Sequence, residues 1–167
     1  MLGPLGVPFS VDGDDFTTAV LVGGGLGVAP LPLATETLVR RGKRVVTFLG
    51  ARTASQVVEA YLTNLEIATD DGSRGFRGNV VELLASRWQS LKEHEVKVFA
   101  CGPTAMLRAL AQFVRTHNIP CEVSLEGPMA CGFGICQGCP VALAGGEKKY
   151  ALMCKDGPVF DVRSILL

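Results

Sequence analysis

Cys131, Cys136, Cys139 and Cys154 are the residues of this sequence best suited to chemistry. Three of them fall within nine residues, in Met129-Ala130-Cys131-Gly132-Phe133-Gly134-Ile135-Cys136-Gln137-Gly138-Cys139, and Cys154 follows after fourteen more. Iron–sulfur clusters are held by cysteine thiolates, and a gap of four, then two, then a long return is the plant-type 2Fe–2S spacing. Such a cluster has to be wrapped closely by chain that turns its N–H groups inward. Gly132, Gly134 and Gly138 remove the Cβ atoms that would block the wrap and permit positive φ. A structural zinc site competes with this reading, but it usually takes two separated Cys-x2-Cys pairs. Only Cys136 and Cys139 form such a pair here. A disulfide framework is disfavoured, because the rest of the chain reads as cytosolic.

A second candidate site lies at the other end of the chain. Gly23-Gly24-Gly25-Leu26-Gly27-Val28-Ala29-Pro30 follows an apolar run and precedes a helical one. The carboxyl end of a strand opening onto a helix is where an α/β sheet binds phosphate-bearing ligands, through free N–H groups and the positive end of the helix dipole. The loop departs from the Gly-x-Gly-x-x-Gly fingerprint, so a tight turn without a ligand stays open beside nucleotide binding. Cys101-Gly102-Pro103 is a second such turn. Gly102 permits close approach, Pro103 starts a helix, and Cys101 stands either at the crevice mouth or in the core. Asp70 and Asp71 can accept from ribose hydroxyls or cap a solvated turn. Arg52, Arg74 and Arg77 can meet phosphate or water. No acid follows the second strand at Gly50-Ala51-Arg52, so NAD and NADP are not separated by this pattern. His94 and His117 have no evident partner and receive no catalytic role.

The elements that position these residues alternate between strand and helix. Phe16–Val22, Lys43–Leu49, Leu65–Thr69, Val96–Cys101 and Cys121–Leu125 read as strands, short and rich in apolar β-branched residues. Helices are expected from the glycine loop to about Arg41, over Thr53–Leu62, from Asn79 with a capping box to Glu82, and from Pro103 through Thr116. The fold class that follows is α/β: a doubly wound, parallel, five-stranded sheet with a small C-terminal 2Fe–2S cluster domain. The expected divisions are a turn-rich segment over 1–15, a pyridine-nucleotide-binding lobe over 16–125 and a cluster domain over 126–167.

Composition bounds the alternatives. The chain has 167 residues, 48% of them hydrophobic, with 16 Lys+Arg against 16 Asp+Glu. That balance lacks the basic footprint of a nucleic-acid binder. The uncharged stretch from Phe16 to Thr35 contains four glycines and two prolines, which suits strand, turn and helix better than a membrane span. With no signal-peptide pattern at the N-terminus, the expectation is a cytoplasmic protein with no membrane partner.

Taken in order, Gly-Gly-Gly-Leu-Gly-Val-Ala-Pro, Thr-Asp-Asp-Gly-Ser, Cys-Gly-Pro-Thr-Ala-Met-Leu, the cysteine cluster and Cys-Lys-Asp-Gly-Pro-Val-Phe resemble one family. It is that of the electron-transfer subunits of NAD-dependent dihydroorotate dehydrogenases, within the ferredoxin–NADP reductase-like flavoproteins. The resemblance runs from about Leu2 to Leu167 and is most specific in the cysteine motif and in Cys-Gly-Pro. It implies a 2Fe–2S cluster on Cys131, Cys136, Cys139 and Cys154. It also implies a dinucleotide site on Gly23, Gly24, Gly25, Gly27, Cys101, Gly102 and Pro103, with Cys101 close to the nicotinamide; Asp70 and Asp71 join that site as the candidate ribose acceptors. The implied activity passes electrons between NAD and a flavin in a catalytic partner subunit (an FMN dihydroorotate dehydrogenase), through the cluster and an FAD, in pyrimidine biosynthesis.

Family members carry an N-terminal barrel that binds most of the FAD, and this sequence starts where that barrel ends. The expectation is a fragment, or a chain whose barrel is supplied in trans, with residues 1–15 as a remnant of the linker from that barrel, Gly3-Pro4-Leu5-Gly6 as its closing segment and Met1 as an internal start. By itself such a chain would be inactive, since nicotinamide delivers electrons in pairs and a 2Fe–2S cluster accepts them singly. Two other functions stay in view: a subunit of another ferredoxin-, hydrogenase- or sulfite-reductase-type NAD(P)H oxidoreductase, and a zinc-stapled nucleotide-binding module. Met129, Phe133 and Ile135 either form an apolar contact for the partner or shield the cluster from water.

Overall fold

The computed structural model describes residues 3–167. Its centre is β1 (Thr18–Gly24), a strand with every residue buried. β2 (Arg44–Ala51) and β5 (Val96–Cys101) flank it in parallel, which places Gly24 opposite Gly50 and Gly23 opposite Cys101. β3 (Leu65–Thr69) and β4 (Phe76–Arg77) extend the sheet beyond β2, and β6 (Cys121–Ser124) extends it beyond β5. All these strands are parallel, so their carboxyl ends share one edge. The sheet order reverses around β1, and the crevice at such a switch point is where open α/β sheets bind ligands.

Helices cover both faces. α1 (Leu31–Arg40) packs Leu31, Ala34 and Leu38 on one face with Phe16, Leu21, Val45, Leu49 and Phe99. Its prolines lie at the N-cap, Pro30, and in the first turn, Pro32, where a missing N–H costs no helical bond. α2 (Val80–Leu91) and α3 (Thr104–Thr116) cover the other face, with Leu84, Trp88, Leu107, Leu110 and Val114 in its core. Asn79 accepts from the N–H groups of Val81 and Glu82, each at 3.0 Å, while Glu82 accepts from the Asn79 N–H at 3.0 Å. This is the capping box anticipated from sequence.

The sheet has seven strands, not five. β4 is only two residues long and lies in a glycine-rich loop, too short to show alternation. The other addition, β9 (Val159–Asp161), runs antiparallel to β6 and comes from the expected cluster domain. The residues after 125 also form the hairpin of β7 (Pro140–Ala142) and β8 (Tyr150–Leu152) and the short helix α4 (Met153–Asp156). Cys139, Val141, Met153, Phe160 and Ile165 join the core on the α2/α3 side. The helix expected over Thr53–Leu62 is also corrected: a 3-10 turn at Ala54–Gln56 gives way to extended and irregular chain. Val57 adopts β conformation and Tyr61 a left-handed one, φ 63°. β-branched residues resist the helix and a left-handed aromatic residue ends it.

Residues 3–15 form no helix or strand of the main sheet and instead pack against it. Phe9 stacks edge-on against Phe99 with centroids 5.5 Å apart. Ser10 donates its N–H to Glu122 at 2.9 Å and accepts from the Lys97 ammonium at 2.6 Å, and Lys97 pairs with Glu122 at 3.0 Å. Met1 and Leu2 of the expected 1–15 segment lie outside the described residues. The uncharged stretch 16–35 is divided between β1, a 3-10 turn at Gly25–Val28 and α1. Among the described residues no helix is long and apolar enough to cross a membrane.

Trp88 is the only tryptophan and is buried between α2 and α3, so its emission reports unfolding. Asn79→Ala should destabilise the chain by about 1 kcal/mol and Asn79→Ser by only a few tenths, as read from urea titrations of Trp88 fluorescence.

Candidate nucleotide crevice and metal-binding loop

The crevice is made by backbones that approach one another without side chains between them. An ideal Cβ at Gly27 would fall on the Cys101 carbonyl and the Gly102 nitrogen, and one at Gly102 would sit 3.1 Å from the Gly24 nitrogen. The glycine loop after β1 and the Cys-Gly-Pro turn after β5 therefore pack backbone against backbone. Met106, in the first turn of α3, closes the remaining gap: its Sδ is 2.6 Å from the place of a Gly24 Cβ. A cavity of about 670 Å³ opens above this floor, large enough for much of a dinucleotide. Gly24, Gly25, Asp70 and Pro103 line it, joined by Leu26, Gly50, Arg52, Gln56, Val58 and Met106.

The structure separates the residues that sequence had grouped. Gly23, Gly27, Cys101 and Gly102 are buried behind the cavity wall and shape it through the backbone. Asp70 and Asp71 have different surroundings. Asp71 accepts from the Ser73 N–H at 2.9 Å and from the Ser73 hydroxyl at 2.6 Å. Those bonds hold its pKa below the ordinary carboxylate value. Asp70 lines the cavity, its N–H held by the Ala51 carbonyl at 3.1 Å. Arg74 pairs with Glu59 at 2.6 Å, whereas Arg52 reaches the cavity wall. Met106, Gln56 and Val58 had escaped the sequence reading, because nothing in a helical or loop pattern marks which residue a crevice will recruit.

Cys101 is 3% exposed. Burial, and then the neighbouring Glu126 carboxylate, push its thiol up to about 11. Its Sγ lies 3.8 Å from Glu126 Oε1, a weak contact joining the end of β5 to the chain that leads out of β6. A thiol so placed is neutral near pH 7 and contributes shape rather than nucleophilicity. Cys121 is likewise raised, chiefly by burial within β6.

The other four cysteines fall into two pairs: Cys131 lies beside Cys136, and Cys139 beside Cys154. Backbone N–H groups point at the sulfurs: Cys136 to Cys131 Sγ, Gly138 to Cys136 Sγ and Cys154 to Cys139 Sγ, each at 3.4 Å. The N–H of Cys136, followed by those of Phe133 and Ile135, holds the Cys131 thiol down to about 6. The Cys154 thiol is raised, first by its hydrogen bond to Cys139 and then by burial. Among the described residues no three His, Cys, Asp or Glu side chains come close enough to share one metal ion. Two thiolates to each of two irons is the arrangement that the pairs fit, with N–H donors already facing the sulfurs. Cys139 and Cys154 are buried and Cys136 is exposed. Around them Met129, Phe133 and Ile135 are 50%, 44% and 74% exposed.

The loop is tied to the fold by main-chain bonds. Met153 donates to the Cys139 carbonyl at 2.9 Å, which brings the start of α4 to the end of the cysteine loop. Asp156 accepts from the Leu152 N–H at 2.7 Å and stops that turn from unwinding.

Residues 126–166 match the family model for the iron-sulfur cluster binding domain of dihydroorotate dehydrogenase B. Over its whole length the chain is 42% identical to the dihydroorotate dehydrogenase B (NAD(+)) electron transfer subunit of Bacillus caldolyticus, of which it covers 65%. It is 38% identical, over 95% of its length, to the probable counterpart from Methanocaldococcus jannaschii, covering 59% of that protein. The chain thus spans 59–65% of the length of these curated relatives. Among solved structures, an NADH-dependent reduced ferredoxin-NADP oxidoreductase superposes with a TM-score of 0.84 at 30% identity. That match covers 98% of this chain and 58% of the other.

The backbone contact beneath the crevice should tolerate no side chain. Gly27→Ala is expected to cost at least about 2 kcal/mol, since backbone cannot move aside as a flexible side chain would. Gly25→Ala meets open space and should cost about 1–2 kcal/mol, from its left-handed φ alone. Urea unfolding followed by Trp88 emission distinguishes the two.

Proposed function

We propose that this chain, which is similar to the electron transfer subunits of dihydroorotate dehydrogenase B, passes electrons between a pyridine nucleotide and a flavin-bearing partner subunit through a 2Fe–2S cluster. Cys131, Cys136, Cys139 and Cys154 are its ligands in this reading. The observation that carries it is the two cysteine pairs with main-chain N–H groups directed at their sulfurs. A 2Fe–2S cluster exchanges one electron at a time, and an FAD divides the pair that nicotinamide delivers. The nucleotide lobe over 16–125 and the cluster unit over 126–167 would supply the two ends of the path.

The chain's own residues would act by binding and orienting. Gly24 and Gly25 present N–H groups to the pyrophosphate, with Gly23, Gly27 and Gly102 keeping the approach free of side chains. Asp70 accepts from an adenosine ribose hydroxyl and repels a 2′-phosphate, in keeping with NAD as the nucleotide; Asp71 braces the loop. Cys101 and Pro103 close the pocket near the nicotinamide. Met129, Phe133 and Ile135 form the apolar face toward the partner, an FMN-bearing dihydroorotate dehydrogenase subunit in the cytoplasm. The likeness to a ferredoxin-NADP oxidoreductase favours a second reading, in which the same path serves a ferredoxin-type partner. Activity with dihydroorotate, set against activity with ferredoxin in reconstituted complexes, separates these readings.

Anaerobic reconstitution should give about two irons and two acid-labile sulfides per chain with a red-brown spectrum, and Cys139→Ser should lose most of that absorption. One zinc and no sulfide would overturn the electron-transfer reading. Asp70→Ala should weaken NADH binding about tenfold, the scale of a lost charge-assisted hydrogen bond, and narrow the preference over NADPH. Asp71→Ala should change NADH binding far less. Calorimetric titration of each variant measures both.

A further inference from the structure

Gln137 lies between two of the proposed ligands and is the one residue of the Cys131–Cys139 loop, glycines aside, with positive φ, at 58°. L-residues other than glycine, asparagine and aspartate seldom adopt this conformation, because Cβ crowds the carbonyl. A residue kept there needs a compensating interaction. Gln137 has one: its side-chain Nε2 donates to the Gly134 carbonyl at 3.1 Å, across the loop. Gly134 is itself left-handed, at φ 90°. On the other side of Gln137, the Gly138 N–H donates to Cys136 Sγ at 3.4 Å. A single side-chain bond therefore closes the turn that carries the Gly138 donor. The chain reversal at Gln137 is what turns the Gly138 N–H toward Cys136.

Resting on the iron–sulfur reading, we propose that Gln137 is a positioning residue for the cluster: its amide, hydrogen-bonded to the Gly134 carbonyl, fixes the reversal that aims the Gly138 N–H group at the Cys136 sulfur. Two consequences follow. Donors held toward thiolates stabilise the more negative, reduced cluster, so the amide bond raises the reduction potential. The same bond keeps the exposed Cys136 side of the loop closed, so it slows loss of iron.

The test uses the full chain, reconstituted anaerobically with ferrous iron and sulfide, as wild type, Gln137→Met and Gln137→Gly. Methionine keeps the length and bulk of the side chain but donates no hydrogen bond. Glycine is at ease with positive φ and lacks only the side chain. Both variants are expected to lose visible absorption to EDTA at least fivefold faster than wild type. Both should have a more negative midpoint potential, with shifted g-values for the reduced cluster, while the Trp88 unfolding midpoint stays in place. A Gln137→Gly chain that matches wild type in half-life and potential would overturn the proposal, because backbone conformation alone would then suffice. Half-lives that fall with potential and g-values unchanged would overturn it too, leaving Gln137 a loop stabiliser. A wild-type chain that takes up no iron and sulfide sinks the iron–sulfur reading and this proposal with it, an outcome recognisable before any variant is compared.

Discussion

The adjacency of β1 and β5 is the constraint on which the rest of the carboxyl edge depends. It brings the glycine loop and the Cys-Gly-Pro turn so close that Gly27 lies on the Cys101–Gly102 backbone with no room for Cβ. The crevice floor is therefore main chain, which lets a phosphate-bearing ligand approach N–H groups directly. Met106 fills the space that the missing side chains would leave. The apolar faces of β1, covered by α1 on one side and by α2 and α3 on the other, hold this edge rigid.

The same adjacency sets the route to the cysteine loop. β6 pairs with β5, and the chain leaves it through Leu125 and Glu126, whose carboxylate touches Cys101. It then forms the loop and the hairpin and returns as β9 to pair with β6. The proposed cluster unit is thus threaded into the sheet at both ends. Val141, Met153 and Phe160 share a core with α3, so this unit and the lobe stabilise one another. A short glycine-rich segment that could not build a core alone is held in this way.

Around the cysteines the balance is between exposure and order. Cys139 and Cys154 are buried while Cys136 is open to solvent. N–H donors take the place of bulk in stabilising negative sulfur, and they are what pull Cys131 below an ordinary thiol. The loop positions its donors through left-handed residues, glycine at 132 and 134 and glutamine at 137. The apolar side chains at 129, 133 and 135 are exposed in the same loop.

Much of this was legible in the chain by itself. Apolar runs of strand length alternating with helical ones gave the parallel sheet, because buried parallel strands leave an unbroken hydrophobic signature. Asn79 and Glu82 marked a helix start, since a capping box is local chemistry, and the cysteine spacing marked a metal-type loop for the same reason. Tertiary structure decided what is not local. β4 and β9 exist only because a neighbouring edge offers bonds to two or three residues with no pattern of their own. The segment 53–62 lost its expected helix to β-branched and left-handed residues. Asp70 and Asp71 are alike in sequence, yet Ser73 takes one and the crevice the other. Which thiol faces which was likewise settled by folding: residue type fixes what a side chain can bind, and only the packed chain fixes what stands within reach.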